Sequence, residues 1–396
     1  MCIMFEHGEI WVNILFKTSL RTEMPPCNIL LFVILFLEGW FENDCGIRAA
    51  MQKGENSMVS LKDISAACGV SIATVSKALN HHTDISEETR ANVLRVANEM
   101  GYYPNSAAKA LKTNRTHNIG VLFVDNAQSG LTHDFFAYIL NSFKESAEAR
   151  GYDLTFINSN KTRPNKMSYL AHAKYRGFDG VCIACVNFYD PEVIELVRSD
   201  IPIVTIDHMF NNRTSILSDN VKGMRDLLTY VYGKGHRRIA YIHGEENSAV
   251  THSRLSSFFR TADELGLTIP DDYIKEAPYR STKETEQRTA ELLDLPEPPT
   301  CILYPDDFSA FGGMNAITER GLSVPGDVSI AGYDGIRIAR HIEPQLTTIR
   351  QDTQRMGREA ANELIELIEH PKTTLVKQII VEGSVYEGGT VKDIRA

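Results

Sequence analysis

Short apolar segments alternate with amphipathic ones from about residue 119 onward, and this alternation limits the possible folds most strongly. Strand-like runs lie at 119–124, 154–157, 181–184, 203–206, 239–242, 301–304 and 328–331. The first two are separated by an amphipathic stretch, 135–150, that ends at Gly151. Buried strands that alternate with helices form parallel sheets covered by helices on both faces. The sequence therefore predicts an α/β body with parallel sheets.

A different pattern precedes that body, at residues 58–104. Ser60 is placed to cap a first helix, Gly69 permits a sharp turn, and Ser71 and Ser86 are placed to cap a second and a third helix. Three short helices with such a turn are typical of helix-turn-helix domains, which lay their second helix in the major groove of DNA. We expect a small all-α DNA-binding unit here.

Charge and cysteine content agree with this division. The chain of 396 residues has a net charge of -10, which argues against a protein coated in nucleic acid, but residues 58–118 carry a net charge of +2. The seven cysteines are irregularly spaced. Such spacing is typical of reduced thiols, so we expect a cytoplasmic protein.

The first 57 residues fit neither unit. Their apolar run, 29–37, is too short to span a bilayer, and the flanking residues do not match a signal peptide. Lys53-Gly54-Glu55 can be encoded by purine-rich codons that resemble a ribosome-binding site upstream of Met58. We expect residues 1–57 to be a non-native upstream extension and Met58 to be the true start; a membrane anchor is the alternative.

Several motifs resemble the LacI/GalR family of transcription regulators, from Met58 to the C-terminus. They are VSLKDI at 59–64, GVS at 69–71, TVS at 74–76, GYYPN at 101–105, GHRRIAYIHG at 235–244, PGDVS at 325–329, GYD at 332–334 and LTTI at 346–349. The resemblance implies a helix-turn-helix headpiece (58–104), a hinge (105–116) and a two-lobed, periplasmic-binding-protein-like sensor (117–396).

By this resemblance, the exposed start of the second helix contacts base edges through Ile72, Ala73 and Lys77, where Lys77 replaces the usual arginine. The remaining implied DNA contacts, several of them to phosphates, are Ser71, Thr74, Ser76, Asn80, Tyr102, Asn105 and Ala108. Leu111 stands where the family inserts a leucine between base pairs in the minor groove, which kinks the duplex.

The resemblance also implies an effector cleft between the lobes. The expected lobes are 117–218 with 332–348, and 219–331 with 349–396. The ligand contacts that the family's motifs imply are Asp207, Arg254 and Asp307. Asp125, Phe135 and Phe136, in the first βα loop, are expected to form an apolar wall against the ligand; a place in the core is the alternative for them. Carboxylates that accept hydrogen bonds and a guanidinium that donates them suit a polyhydroxylated ligand, so a sugar or sugar derivative is expected.

The sequence shows no sign of an enzyme. Cys182 and Cys185 form a C-x-x-C pattern, but inside a predicted strand these residues would point to opposite faces as buried thiols. The histidines lack metal-binding spacing, and no phosphate-binding glycine loop or nucleophile elbow is present. We expect no metal and no cofactor. A secreted sugar-binding protein and an enzyme on the same scaffold are the alternatives.

Together these features predict a ligand-responsive repressor of carbohydrate-utilisation genes that does not associate with membranes. It would act as a homodimer, paired through the sensor lobes, on a pseudo-palindromic DNA operator. The tail 381–396 has no heptad pattern that would predict a tetramer. Whether the effector induces or corepresses is left open.

Overall fold

A computed structural model describes residues 59–103, 110, 113–125, 129–157 and 167–395. The chain divides into two compact units, Met1–Pro104 and Asn105–Ala396. The predicted extension 1–57 and most of the predicted hinge lie outside the described residues. None of the described helices is both long and apolar enough to cross a membrane.

The described part of the first unit, residues 59–103, contains three helices: α1 (Leu61–Cys68), α2 (Ile72–Leu79) and α3 (Glu87–Glu99). Their apolar faces meet in one small core made by Ile64, Val75, Ala78, Val93, Val96 and Ala97. This is the helix-turn-helix unit that the sequence predicts.

The caps of these helices are those predicted. The Ser60 side chain accepts a hydrogen bond from the Asp63 backbone, and Asp63 reciprocates to complete a capping box. Gly69 then ends α1 with a φ of 67°, a left-handed conformation that glycine adopts without steric penalty. The sharp turn between α1 and α2 depends on this residue.

The second unit is built on two sheets. The first has the order β11-β5-β4-β3-β1-β2, and all its pairings are parallel. Its strands are β1 (Asn118–Phe123), β2 (Asp153–Phe156), β3 (Gly180–Ala184), β4 (Ile203–Ile206), β5 (Thr214–Ser218) and β11 (Gln378–Val381). Its helices are α4 (Asp134–Ala149), α5 (Tyr169–Arg176), α6 (Pro191–Val197) and α11 (Thr353–Glu369). We call this part the first lobe.

The second sheet has the order β12-β10-β9-β8-β6-β7, in which only the pairing of β12 with β10 is antiparallel. Its strands are β6 (Ile239–His243), β7 (Ile274–Glu276), β8 (Cys301–Leu303), β9 (Ser329–Asp334), β10 (Thr347–Arg350) and β12 (Ser384–Tyr386). Its helices are α7 (Asn220–Gly233), α8 (Ala249–Glu264), α9 (Thr282–Leu293) and α10 (Asp307–Glu319). This part is the second lobe.

Both faces of each sheet are buried, which explains the uninterrupted apolar runs in the sequence. In β3, Cys182 and Ala184 pack in a cluster with α4 and α11, whereas Val181 and Ile183 pack in a cluster with α5 and α6. Alternate residues of a strand point to opposite faces, so each face needs its own helix layer. The second sheet is covered in the same way by α7 with α8 and by α9 with α10.

The chain passes between the lobes at 218–220, 350–353 and 381–384. The segments lie side by side: the Asp219 backbone N–H donates to the Val381 carbonyl at 2.9 Å, and a Cβ on Gly383 would lie 3.0 Å from the Arg350 carbonyl. The expected lobe assignment was wrong for residues 332–348 and for residues 353–381, whereas 384–386 lie in the second lobe as expected. Strands β9 and β10 pair with each other (Gly332 with Thr348), which keeps 332–348 in the second lobe, and α11 with β11 belongs to the first lobe.

Candidate functional site

A cavity of about 380 Å³ lies between the two lobes of the second unit. Its first-lobe wall is formed by segments that follow β1, β3 and β4, and its second-lobe wall by segments that follow β6, β7 and β8 together with the start of α8. Ligands of open α/β sheets bind at the carboxyl ends of the strands, and this volume is within the usual range for small-molecule sites.

Five of the six predicted ligand contacts line this cavity: Asp125, Phe135, Phe136, Asp207 and Arg254. Asp207 follows β4 with a φ of 55°, and its Oδ1 accepts a hydrogen bond from the Ser218 backbone at 2.8 Å. Burial raises the pKa of the Asp207 carboxyl. The side chain is thereby fixed beside the first crossing of the chain.

Arg254 projects from α8 and is almost completely buried. Its Nε donates to Asn220 Oδ1 at 2.7 Å, its Nη1 donates to the Pro305 carbonyl at 2.8 Å, and its guanidinium lies 3.5 Å from the centre of the Tyr333 ring. Hydrogen bonds on two sides and an aromatic face set the orientation of this cation before any ligand arrives.

Asp307 does not line the cavity, so its predicted ligand contact was wrong. It is fully buried, its Oδ1 accepts from Thr348 Oγ1 at 2.5 Å, and its Oδ2 accepts from the Ile336 backbone at 2.8 Å. Burial raises its pKa well above the ordinary value. The preceding residue, Asp306, lines the cavity instead and caps α10, because one step along a helix start rotates a side chain by about 100°.

Aromatic side chains form much of the wall. Phe136 packs edge-on against Phe135 and Phe123, and Phe135 also belongs to the core of the first lobe. The sequence analysis missed further aromatic residues of this wall, among them Phe188, Tyr189, His208 and Tyr279. The rings of Phe188 and His208 are stacked at 4.2 Å with an interplanar angle of 6°. All four lie in loops or at strand ends, where periodicity gives no signal.

Four charged residues of the cavity were also missed: Glu245, Arg280, Asp306 and Asp334. Asp334 ends β9 with a φ of 109°; its Oδ1 accepts from Gln351 Nε2 at 2.8 Å and lies 4.0 Å from Arg254 Nη2. Burial raises the pKa of Asp334 to about 7, against the opposing effect of Arg254. Arg280 lies in a loop, and its Nε is buried without a hydrogen-bond partner among the described residues. A loop arginine carries no sequence signal for such a role.

Cys185 differs from its expected state. Strand β3 ends at Ala184, so Cys185 lies in the following loop with a φ of 52°, is only partly buried and lines the cavity. Cys182 is a buried core thiol, as expected, and burial raises its pKa to about 12. Burial also raises the pKa of Cys185. Neither group has the low pKa of a reactive redox thiol.

In the first unit, α2 exposes the residues predicted to contact bases. Ser71, Ile72, Ala73 and Lys77 are exposed, whereas Val75 and Ala78 are buried in the core. Ile72 keeps 47% of its surface accessible, which is unusual for an isoleucine on a small domain. The exposed face therefore carries an apolar side chain and a cation, which is suited to contact with thymine methyl groups and with acceptor atoms of bases.

Lys77 Nζ pairs with Asp84 Oδ2 at 2.5 Å, and both side chains are about half exposed. Because exposed ion pairs contribute at most about 1 kcal/mol, this pair does not prevent Lys77 from reaching DNA. The side chain of Asn80 donates to the Ser76 carbonyl at 2.7 Å, Thr74 lies beside Ser71 in the cap, and Tyr102 packs on the helical core. Asn105, Ala108 and Leu111 lie outside the described residues.

Comparison with known proteins gives matches for both units. The family described as "Bacterial regulatory proteins, lacI family" matches residues 60–105, and the "Periplasmic binding protein-like domain" family matches residues 228–391. Among curated proteins, the "HTH-type transcriptional repressor PurR" of Haemophilus influenzae is 32% identical over 79% of this chain and 92% of its own. The "Probable HTH-type transcriptional repressor ExuR" of Bacillus subtilis is 31% identical over 81% and 95%.

Solved structures have the same fold. The Lac repressor dimer bound to operator and an anti-inducer matches with a TM-score of 0.72 at 24% identity, over 85% of this chain and all of that one. A LacI family regulator from Enterococcus faecium, solved with bound ribose, matches with a TM-score of 0.61 at 26% identity, over 70% of this chain and all of that one. The chain therefore belongs to the lacI family of bacterial regulatory proteins, and it is a ligand-responsive, DNA-binding transcription regulator rather than an enzyme.

Proposed function

We propose that this chain represses genes of carbohydrate utilisation and that a sugar or sugar derivative, bound in the cavity between the lobes, controls its affinity for DNA. The observation that carries the proposal is that the fixed guanidinium of Arg254 and the carboxyl groups of Asp207 and Asp334 line one cavity that is walled by aromatic rings. Vicinal hydroxyls donate to carboxylates and accept from a guanidinium, and aromatic faces cover the apolar face of a sugar ring.

A relative supports the ligand class. The Enterococcus faecium regulator that shares this fold holds ribose. An aromatic wall is equally compatible with a flat nucleobase, so nucleobases belong in any ligand screen as the competing class. The carboxylates favour the sugar, because a polyol supplies several donors at once and a base supplies only a few.

A thermal-shift screen of the full chain against sugars, sugar phosphates, sugar acids and nucleobases tests the ligand class. A ligand that binds only the folded state raises the unfolding midpoint, and the rise grows with the logarithm of the ligand concentration over its dissociation constant. A shift with a sugar, followed by a change in operator affinity, supports the proposal. A shift confined to nucleobases would replace the sugar with that class.

On the DNA side, the proposal is a cytoplasmic homodimer on a pseudo-palindromic operator, with one α2 in the major groove of each half-site. One exposed helix face reads only a few base pairs, and a two-fold pair of such faces on a two-fold site doubles the contact. Ile72, Ala73 and Lys77 would contact bases, and Ser71, Thr74, Ser76, Asn80, Tyr102 and Asn105 would position the unit, in part through phosphates. Ala108 and Leu111 would approach the minor groove.

Selection of bound sequences from random duplexes tests this arrangement, because a dimer should enrich inverted repeats. In the same assay, Leu111→Ala should weaken binding to the selected site more than binding to random DNA, since an inserted side chain acts on a specific kinked step. Enrichment of a single unrepeated half-site would contradict the dimer. Equal losses on both DNAs would contradict the role of Leu111.

A further inference from the structure

Three side chains of different chemistry meet at one end of the cavity: Asp125, His133 and Cys185. One donor atom from each, a carboxylate oxygen, an imidazole nitrogen and the thiol sulfur, lie within 4.8 Å of one another. The order of the strands in the first sheet explains why these residues lie close together. Strands β1 and β3 are neighbours, with Phe123 paired to Ala184, so the residues that follow them emerge side by side. His133 then arrives as the residue that precedes α4.

His133 has an unsatisfied polar atom at this place. Its Nδ1 is buried and makes no hydrogen bond within the part of the chain that the structure describes. A buried nitrogen without a partner costs about 1 to 3 kcal/mol, so native proteins rarely keep one without a use. The other two residues of the cluster supply a carboxylate and a thiol, which together with the imidazole of His133 make a set of metal ligands.

We propose that Asp125, His133 and Cys185 bind a divalent transition-metal ion of the Zn²⁺ type in the effector cavity, with one coordination position open to the ligand. Sulfur, nitrogen and oxygen donors select Zn²⁺ or Co²⁺ over Mg²⁺ and Ca²⁺, which prefer oxygen alone. On binding, the Cys185 thiol gives its proton to solvent and the bonds from the metal to sulfur, nitrogen and oxygen form. Three protein ligands leave a fourth position for a water or an effector oxygen.

The surroundings suit this role. The Asp125 carboxylate accepts hydrogen bonds from the Ser129 backbone at 2.7 Å, the Ser129 hydroxyl at 2.6 Å and the Gly130 backbone at 3.0 Å. Outer partners of this kind orient ligating carboxylates at metal sites. Donors around one tetrahedral Zn²⁺ lie about 3.5 Å apart, so the three side chains need to move by only about an ångström.

The linear sequence gives no hint of such a site. The three residues are spread over about sixty positions, and no two of them have a short spacing typical of metal motifs. A second group with metal-binding geometry among the described residues, Glu366, Glu369 and His370, is partly exposed, and its acids already pair with Arg150. It serves as the control for non-specific binding.

Titration of the chelator-treated full chain with Co²⁺ tests the proposal, because a cobalt–thiolate bond gives a charge-transfer absorption that oxygen and nitrogen ligands do not give. We expect saturation of this band at one equivalent of Co²⁺ and its displacement by Zn²⁺. Cys185→Ser should remove the band, and the matched control Cys182→Ser, in the strand that precedes Cys185, should keep it. His370→Gln should also keep it.

Calorimetry with Zn²⁺ gives a second readout that does not depend on the thiol. His133→Gln should weaken Zn²⁺ binding by at least about tenfold, the loss seen even for outer-shell partners. A band that persists in Cys185→Ser, or Zn²⁺ affinity that is unchanged in His133→Gln, would overturn the site. Neither experiment contains DNA or sugar, so their failure leaves the proposed repressor function untouched.

Discussion

Arg280 of the second lobe approaches Asp134 of the first lobe, with 3.4 Å between Arg280 Nη1 and Asp134 Oδ2. The arginine side chain is 9% exposed and also lies over the Phe308 ring. This ion pair joins the two lobes directly, next to the cavity that Arg280 lines. A contact that exists only while the lobes are close favours the closed cleft, and therefore favours any ligand that the closed cleft encloses.

Loss of this pair should weaken effector binding. Asp134→Asn keeps the shape of the side chain but removes its charge, and we expect the dissociation constant of the sugar found by screening to rise by up to about fivefold, because partly exposed pairs contribute at most about 1 kcal/mol. Calorimetry measures this. Asp153→Asn, an exposed acid of the same lobe, is the control. Equal affinities of Asp134→Asn and the unchanged chain would remove the pair from lobe closure.

Arg254→Lys should impair effector binding and stability together. The donors of a lysine ammonium radiate from one nitrogen and do not reproduce the fixed fork by which Arg254 reaches Asn220 Oδ1 and the Pro305 carbonyl, so we expect one buried acceptor to be left unpaired at a cost of about 1 to 3 kcal/mol. Sugar affinity should fall by at least about tenfold, or 1.4 kcal/mol. Arg260→Lys, on the exposed side of the same helix, should change neither quantity. Retention of the sugar response in Arg254→Lys would exclude Arg254 as a ligand contact.

Asp84→Asn should strengthen DNA binding. The change frees Lys77 from its pair with Asp84 and removes a negative charge near the exposed face of α2. We expect operator affinity to rise by up to about fivefold at low salt, equivalent to about 1 kcal/mol, and the gain to shrink as salt is added. Fluorescence anisotropy over a salt series measures both effects. Glu99→Gln, which removes a charge paired with Arg95 on α3, is the control; an equal gain there would show a general charge effect.

Asp334 should make stability depend on pH. Burial raises the pKa of this carboxyl from the ordinary 3.8 to about 7 in the folded chain. Between about pH 4 and pH 7 the carboxyl is therefore mostly protonated in the folded chain and mostly ionised in the unfolded chain. Stability from this group is present below about pH 4 and is lost as the pH rises to about 7, with a slope of at most about 1.4 kcal/mol per pH unit. The free energy of unfolding, measured by denaturation between pH 5 and pH 8, should depend less on pH in Asp334→Asn than in the unchanged chain. The exposed control Asp263→Asn should keep the slope, and a steeper slope in Asp334→Asn would contradict the assignment.

Local chemistry made several parts of this structure predictable. The capping serine and acid at Ser60 and Asp63, the left-handed Gly69 and the apolar strands each depend on neighbours within a few residues. Such signals are present in the sequence itself. The helix-turn-helix unit and the parallel sheets followed from them, and the family followed from the motifs that they carry.

Features that depend on distant contacts were not predictable. The membership of β9 and β10 in the second sheet depends on their pairing with each other and with β8 and β12, which periodicity does not encode. Asp306 and Asp307 are adjacent acids, and only the start of α10 decides which one faces the cavity. The aromatic wall and Arg280 come from loops, whose conformation is set by the packing around them.

The three adjacent crossings between the lobes have a mechanical consequence. Three crossings that lie side by side allow the two lobes to rotate about the line of the crossings more easily than to twist or slide against each other. The hydrogen bond from the Asp219 N–H to the Val381 carbonyl holds two of these crossings together. We therefore expect the lobes to move chiefly by a hinge rotation about this line. A ligand in the cavity would then act by opening or closing the cleft. Ligands of very different chemistry can produce the same change of lobe angle.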